Sequence, residues 1–295
     1  MGLIKVDPTK CCLCKACEQI CFRHLIKIAN EKVDTSAADQ HCADCGQCQA
    51  VCPTEALIHT GLNQETIRPI EKTTGIEAAA FVDFLRTRRS HRNFKAKQIS
   101  EEMVEMIAQS CRIAPSSSND SCVGLIIIRD RSKLLELSDL AVEHHSVSAT
   151  ETITHYENLK LNRLLETKET NELERAYKMV RFLESAPPEQ DPILYHAPTV
   201  FFVHATPFSN FPKENALVAA HTALLTAHSL NLGTCYISLM AKATNESPRI
   251  RKLLNLPSEN EVHAVISLGH PKYRYRRTTP ARNMPISIDN KELSS

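Results

Sequence analysis

The cysteines of CCLCKACEQIC (residues 11–21) and CADCGQCQAVCP (residues 42–53) decide how the first part of this 295-residue chain is read. Cys11, Cys14, Cys17 and Cys21 follow the spacing C-x2-C-x2-C-x3-C. Cys42, Cys45, Cys48 and Cys52 repeat it, and Pro53 closes the second copy. Three thiolates at steps of three can turn inward around one small inorganic cluster. The fourth lies too far along the chain for that cluster and ligates the other one. The spacing therefore predicts two [4Fe–4S] clusters. Cys11, Cys14, Cys17 and Cys52 hold one, and Cys42, Cys45, Cys48 and Cys21 hold the second. Structural zinc is the weaker reading, because it normally uses two Cys-x2-Cys pairs set apart by a longer spacer. Nine of the twelve cysteines lie between Cys11 and Cys52, and the chain is neither short nor signal-bearing, so packed metal ligands are a better reading than a disulfide scaffold. Cys12 reads as a spare thiol packed beside Cys11.

The remaining composition is ordinary. Apolar residues make up 42% and charged residues 23%, which excludes disorder and collagen-like repeats. No stretch approaches the ~20 apolar residues that cross a bilayer. MGLIKVDPTKCC has no apolar signal core, and Val6 leaves the myristoylation pattern after Gly2 incomplete. The expectation is a cytoplasmic protein with no membrane partner. A net charge of +1 gives no basic excess for nucleic acid. No Walker or GxGxxG phosphate loop is present.

Four segments follow: the cysteine domain at 1–62, a polar linker at 63–79, an α/β or α+β layered domain at 80–286 and a tail at 287–295. Helices are expected at 80–89, from an N-cap at Ser100 to Cys111, at 131–145, 151–185, 214–231 and 247–254. Gly233 is expected as the left-handed stop after 214–231. Strands are expected at 123–130, 198–205, 234–239 and 261–269. His221, His228 and Cys235 read as packing residues.

Three polar segments of the second domain stand out. Arg88-Arg89-Ser90-His91-Arg92 could bind a phosphate or a polarised carbonyl, or could simply be a basic helix end. Pro115-Ser116-Ser117-Ser118-Asn119 offers donors and acceptors for a planar heterocycle, or is a polar loop. Lys272 to Arg277 taken alone is a solvated basic run.

Residues 5–58 resemble bacterial two-cluster ferredoxins, although Phe22 stands where that family has Pro after the fourth Cys. RRSHRNF, APSSSN, DPILYHAPTVFFVHA, LNLGTCYISLMAKATNESPRI and ISLGHPKYRYRRTTPAR, in this order, resemble the FMN-dependent nitroreductases over 81–285. The last two segments resemble the ferredoxin-fused branch in particular. The resemblance implies an α+β chain: a ferredoxin-like 2[4Fe–4S] domain, then an FMN-dependent nitroreductase-like α/β sandwich. It implies that Arg88, Arg89, Ser90 and Arg92 bind the FMN phosphate and pyrimidine edge. Pro115, Ser116, Ser117 and Asn119 would contact the isoalloxazine and ribityl chain. Ser238 and Leu239 would pack on the ring and bring a backbone N–H near N5, and Arg276 and Arg277 would clamp the phosphate. Three departures are visible. Ser121 replaces a usual Gln, Cys122-Val123 replaces a usual Trp, and Ser238-Leu239-Met240 replaces a glycine-rich stretch.

The function implied is electron transfer between the clusters, FMN and a small electron-poor acceptor such as a nitroaromatic, a quinone or an activated alkene. The flavin N5 is the reacting centre, so no side chain need be catalytic. The implied donor is a low-potential ferredoxin or NAD(P)H, the former favoured by the appended clusters. The implied assembly is a homodimer. The rival reading is an electron carrier or redox sensor without small-molecule turnover.

Overall fold

The computed structural model describes residues 2–70, 75–187, 189–280, 284–289 and 291–292. The chain divides into two compact units. One holds the chain up to Gly75 together with Ser116–Ser121; the other holds Ile76–Pro115 and the chain from Cys122 onward. Residues 71–74 of the expected linker, and 290 and 293–295 of the expected tail, lie outside the described residues. The first unit runs on past residue 62. Asn63 caps a 3-10 turn at Gln64–Thr66, and the Gln64 carboxamide donates to the His59 carbonyl at 2.8 Å, so part of the expected linker is tied down.

The first unit contains β1 (Ile4–Val6), α1 (Ala16–Ile20), β2 (Lys27–Ala29), β3 (Lys32–Asp34), α2 (Ala38–His41), α3 (Gln47–Ala50) and β4 (Leu57–His59). β1 pairs antiparallel with β4, and β2 with β3. The duplication seen in the cysteines extends to the backbone at an offset of 31 positions. Leu13 and Asp44, Lys15 and Gly46, and His24 and Glu55 are matched pairs, all with positive φ between 50° and 69°. The matched N–H groups of Leu25 and Ala56 donate to the Cys21 and Cys52 sulfurs at 3.4 and 3.2 Å. The matched Glu18 and Gln49 side chains accept from the Ile28 and His59 N–H groups. Ile4, Ile26, Ala38, Ala56 and Leu57 form a small core around the buried Cys17 and Cys48.

The second unit is built on a four-stranded antiparallel sheet, β5 (Val123–Ile128), β6 (Thr199–Ala205), β7 (Gly233–Tyr236) and β8 (Glu261–Gly269), in the order β5-β6-β8-β7. Its helices are α4 (Ala78–Thr87), α5 (Glu101–Arg112), α6 (Arg131–Lys160), α7 (Thr167–Glu184), α8 (Pro212–Ser229), α9 (Ser238–Glu246) and α10 (Pro248–Leu254). All seven residues of β6 are buried, which is why PTVFFVHA reads as a continuous apolar run. Alternation along β6 sends Val200 and Phe202 into one core with α6, α9 and α10. It sends Phe201, Val203 and Ala205 into a second core with α5 and α8. Phe201 and Phe202 are fully buried, and truncating such a side chain to Ala costs about 3–5 kcal/mol. Among the described residues no helix is long and apolar enough to cross a membrane.

Three expected elements differ. The expected helices at 131–145 and 151–185 are divided in a different place: α6 runs unbroken through SVSAT, and the break falls at 161–166. The hydroxyls of Thr150, Thr152 and Thr154 bond back to the carbonyls four residues earlier, so they do not compete for the helix N–H groups. Gly233 is not a left-handed stop. Asn231 takes the positive φ of 57°, and Leu232 N–H closes the helix end on the Ala227 carbonyl. Gly233 instead opens β7, where a Cβ would sit 2.8 Å from the His91 side chain. The expected strand 234–239 ends at Tyr236, and Ser238 starts α9.

Two outcomes follow from the packing. A Cβ at Gly124 would fall inside the His204 ring, so Gly124→Ala should cost about 1–3 kcal/mol in urea unfolding. Burial also holds His145 and His204 below the usual imidazole value of 6.5. In the pH window below 6.5 the unfolded chain binds more protons than the folded one at these sites. Stability should therefore be full above pH 6.5 and fall as the pH drops below it, read as a falling midpoint of unfolding.

Candidate functional site

In the first unit the fold brings the eight motif thiols into two sets. Cys11, Cys14, Cys17 and Cys52, joined by Cys12, line one cavity. Cys21, Cys42, Cys45 and Cys48 line another. Each set takes three cysteines from one half of the duplication and the fourth from the other half, the partition the spacing predicts. No disulfide joins any of the twelve cysteines. Burial pushes the Cys17 and Cys42 thiols up, and Cys48 up to about 11. A bare thiolate is thus disfavoured at these positions, and a cationic centre between the sulfurs would supply what burial removes. Burial also acts upward on Cys52, but hydrogen bonds from the Thr54, Ala56 and Leu57 backbone outweigh it and bring that thiol down.

The second cavity has a feature the spacing does not reveal. The fully buried His59 points Nε2 at Cys42 Sγ, 3.4 Å away, and at the Asp44 carboxylate, 3.2 Å away. His59 lies beyond the quoted cysteine stretches, and nothing short of the β4 register shows that it reaches Cys42.

In the second unit three segments meet at the β7 edge. Ser90 bridges Thr234, and His91 N–H donates to the Thr234 carbonyl at 2.8 Å. Phe94 bridges Pro271, and Lys272 N–H donates to the Asn93 carbonyl at 2.9 Å. The Tyr275 ring meets His91 at a tilt of 60°, 5.1 Å between centroids, and its hydroxyl donates to the Ser90 carbonyl. The segment carrying the exposed Arg276 and Arg277 is thereby tied to the segment carrying Arg88, Arg89, Ser90 and Arg92. Arg92 lies over the Tyr195 ring at 5.8 Å. Burial raises the Cys235 thiol, opposed by Arg92, a hydrogen bond from Ser90 and Arg88. Burial pushes the Tyr236 hydroxyl up to about 12, with Arg88 again opposing it.

α9 begins beside this cation-rich edge. Ile237 N–H donates to the Val265 carbonyl, which sets the turn from β7 into the helix, with Ser238 exposed and Leu239 half-buried. The first turn of a helix leaves N–H groups without intrahelical partners and favours an anion or an electron-rich atom. The buried His145 bonds the Leu239 carbonyl through Nε2 at 2.9 Å and so holds this turn from behind. His228 packs on Phe84 and bonds Thr87, and Cys235 is buried in β7, so both are packing residues as their surroundings in the sequence suggest.

The boundary between the two units falls within the Pro115 to Asn119 segment. Pro115 belongs to the second unit, while Ser116, Ser117 and Asn119 group with the first. Ser118 and Asn119 adopt left-handed backbone in a short 3-10 turn, and the Asn119 carboxamide donates to the Ala43 carbonyl at 2.8 Å. The turn at Ser118 and Asn119 thus aims this carboxamide at a backbone acceptor 76 positions away in the chain.

Residues 85–270 match the model of the nitroreductase family. A protein of Archaeoglobus fulgidus named as an NADH dehydrogenase/NAD(P)H nitroreductase is 25% identical over 190 residues, 63% of this chain and 82% of that protein. The oxidoreductase YjgC of Bacillus subtilis is 31% identical over 96 residues, and this chain spans only 10% of it. A nitroreductase of Bacteroides fragilis, solved with bound FMN, superposes with a TM-score of 0.51 at 20% identity, over 70% of this chain and 98% of that one. A BluB-like flavoprotein of Clostridium difficile superposes with a TM-score of 0.53 at 17% identity, over 71% of this chain and 96% of that one. These two likenesses are likenesses of fold. With more than half of its length matched by the family model, this chain belongs to the nitroreductase family and is an oxidoreductase.

Proposed function

We propose that this chain is an FMN-dependent oxidoreductase that passes electrons between two [4Fe–4S] clusters, the flavin and a small electron-poor acceptor such as a nitroaromatic, a quinone or an activated alkene. In this reading residues 1–62 are the ferredoxin domain and 80–286 the flavin domain. The observation that carries it is the pair of four-thiol cavities, each completed by a cysteine from the opposite half of the duplication. Among the described residues, three ligand atoms come within 4.8 Å of one another only at Cys42, Asp44 and His59. No three motif sulfurs are thus mutually as close as the edges of about 3.8 Å that follow from Zn–S bonds of about 2.3 Å in a tetrahedral site. That spread suits a multi-metal cluster.

Bound FMN would supply one- and two-electron chemistry at N5, and the clusters one-electron transfer. The chain's own residues bind and orient. Arg88, Arg89, Arg276 and Arg277 supply cations for a phosphate, and Ser90 a hydroxyl. Arg92, held over Tyr195, places its charge where it favours an electron-rich ring edge. Ser238 and Leu239 present the open first turn of α9 to the ring, with His145 keeping the turn in place. The exposed apolar side chains of Phe81, Val82 and Leu85 on α4 and of Leu217 and Val218 on α8 suit a homodimer, in which a second copy covers them. The cysteine unit favours a low-potential ferredoxin as donor. The name of the Archaeoglobus relative favours NAD(P)H, and reduction rates with each decide between them.

Purified without oxygen, the protein should be brown, with about eight iron and eight sulfide and one FMN per chain. A colourless preparation with stoichiometric zinc and no flavin overturns the reading. Arg92→Ala should weaken FMN binding by about 10- to 100-fold while leaving the iron content unchanged, read by fluorescence titration of flavin release. After photoreduction, a quinone or nitroaromatic should reoxidise the flavin rapidly; a flavin that stays reduced points instead to an electron carrier.

A further inference from the structure

The two halves of the first unit match position by position, which makes their differences informative. At the offset of 31, Asp44 stands where the first half has Leu13, and His59 where it has Ile28. Only the second cavity therefore has an ionisable pair beside its cysteines. His59 is fully buried in β4. Its backbone is locked by a ring of three hydrogen bonds. His59 N–H donates to Gln49 Oε1 at 2.8 Å, Gln49 Nε2 to Gln64 Oε1 at 2.7 Å, and Gln64 Nε2 to the His59 carbonyl at 2.8 Å. Gly61 leaves room for the ring, since a Cβ there would press on its Cε1 at 3.2 Å. Nδ1 is buried without a partner. Nε2 faces Cys42 Sγ at 3.4 Å and Asp44 Oδ1 at 3.2 Å. A ligating thiolate and a carboxylate only accept, so Nε2 is the nitrogen that carries hydrogen.

We infer that His59 is a built-in hydrogen-bond donor to the Cys42 thiolate that makes the Cys21/Cys42/Cys45/Cys48 cluster easier to reduce than its partner, so that an electron entering the first unit settles there. This rests on the cluster reading above. Reduction adds one electron from a one-electron reductant and breaks no ligand bond, so the cluster with its thiolates becomes one charge more negative. A donor aimed at a ligand sulfur stabilises that more negative state. The first cluster has Ile28 in the same place and gains nothing there. Asp44 acts in the opposite sense, by its charge and by sharing the Nε2 hydrogen. Its side chain is 61% exposed, so water screens it, whereas the His59 ring is fully buried and the half-buried His59–Cys42 contact is less screened, which strengthens its hydrogen bond. The donor outweighs the anion.

The test is an anaerobic dithionite titration of the full chain followed by electron paramagnetic resonance, with iron and sulfide measured on each variant. The native protein should reduce in two separated one-electron steps. His59→Ile, which copies the residue of the first half, should move only the more easily reduced step to lower potential, by roughly tenfold in the reduced-to-oxidised ratio, or about 59 mV. His59→Gln keeps an N–H and should recover part of that shift. Asp44→Asn lies at an exposed site that tolerates folding, and should move the same step upward. Native protein without iron defeats the cluster reading itself. Full iron content with steps that stay put in His59→Ile and Asp44→Asn, or with both steps moving together, overturns the inference. If His59→Ile fails to load iron, Asp44→Asn decides alone.

Discussion

The exchange of one cysteine between two half-modules is the constraint on which the first unit depends. Cys52 closes the cavity of Cys11, Cys14 and Cys17, and Cys21 closes that of Cys42, Cys45 and Cys48. Neither half completes its four-thiol cavity alone. This matters because the unit is small and its apolar core amounts to a few side chains, with Ile4, Ile26 and Leu57 the largest. A core of that size stabilises little by itself, and metal ligation typically supplies what such domains lack. The left-handed residues at matched positions follow from the same constraint. Each thiol must turn inward within two or three residues, and only a positive φ reverses the chain so quickly. Gly46 meets that demand at no steric cost, whereas Lys15, its counterpart, carries the cost of a Cβ.

The second unit obeys a different rule. A strand buried on both faces needs a helical layer on each side, and β6 is such a strand. α5 and α8 cover one face, and α6, α9 and α10 the other. The sheet order then places short β7 at an edge, where the segment from Arg88 to Arg92 and the segment from His270 to Arg277 can both dock through backbone bonds. The cations are gathered by main-chain pairing rather than by attraction, since like charges would otherwise spread apart.

Much of this was readable in the chain. The cysteine partition, the N-cap at Ser100 and the strands around β6 follow from spacing and local chemistry. Ser100 Oγ does accept from Met103 N–H. What misled was residue type taken without its surroundings. SVSAT looked like a break, but threonine hydroxyls bonded within the helix leave it intact. Gly233 looked like a helix stop because glycine commonly is one, but its role is to let His91 approach. TCYISL looked like one strand because its residues favour strands, yet the Ile237 N–H bond to Val265 turns the chain and Ser238 begins a helix.

The linear order of residues was enough to group the cysteines that line each cavity, because the reach of a thiol depends on a few bonds of chain and is set locally. It was also enough to mark the arginines as a group, since six of them stand within two short segments, 88–92 and 272–277. Only the tertiary structure decided what surrounds those groups. That His59 meets Cys42, that Asn119 bonds Ala43 and that His145 supports the first turn of α9 are contacts between residues 17, 76 and 94 positions apart. Such pairings depend on strand register and helix packing, which are fixed by the burial of apolar surface over the whole unit, and no local pattern of residue types encodes them.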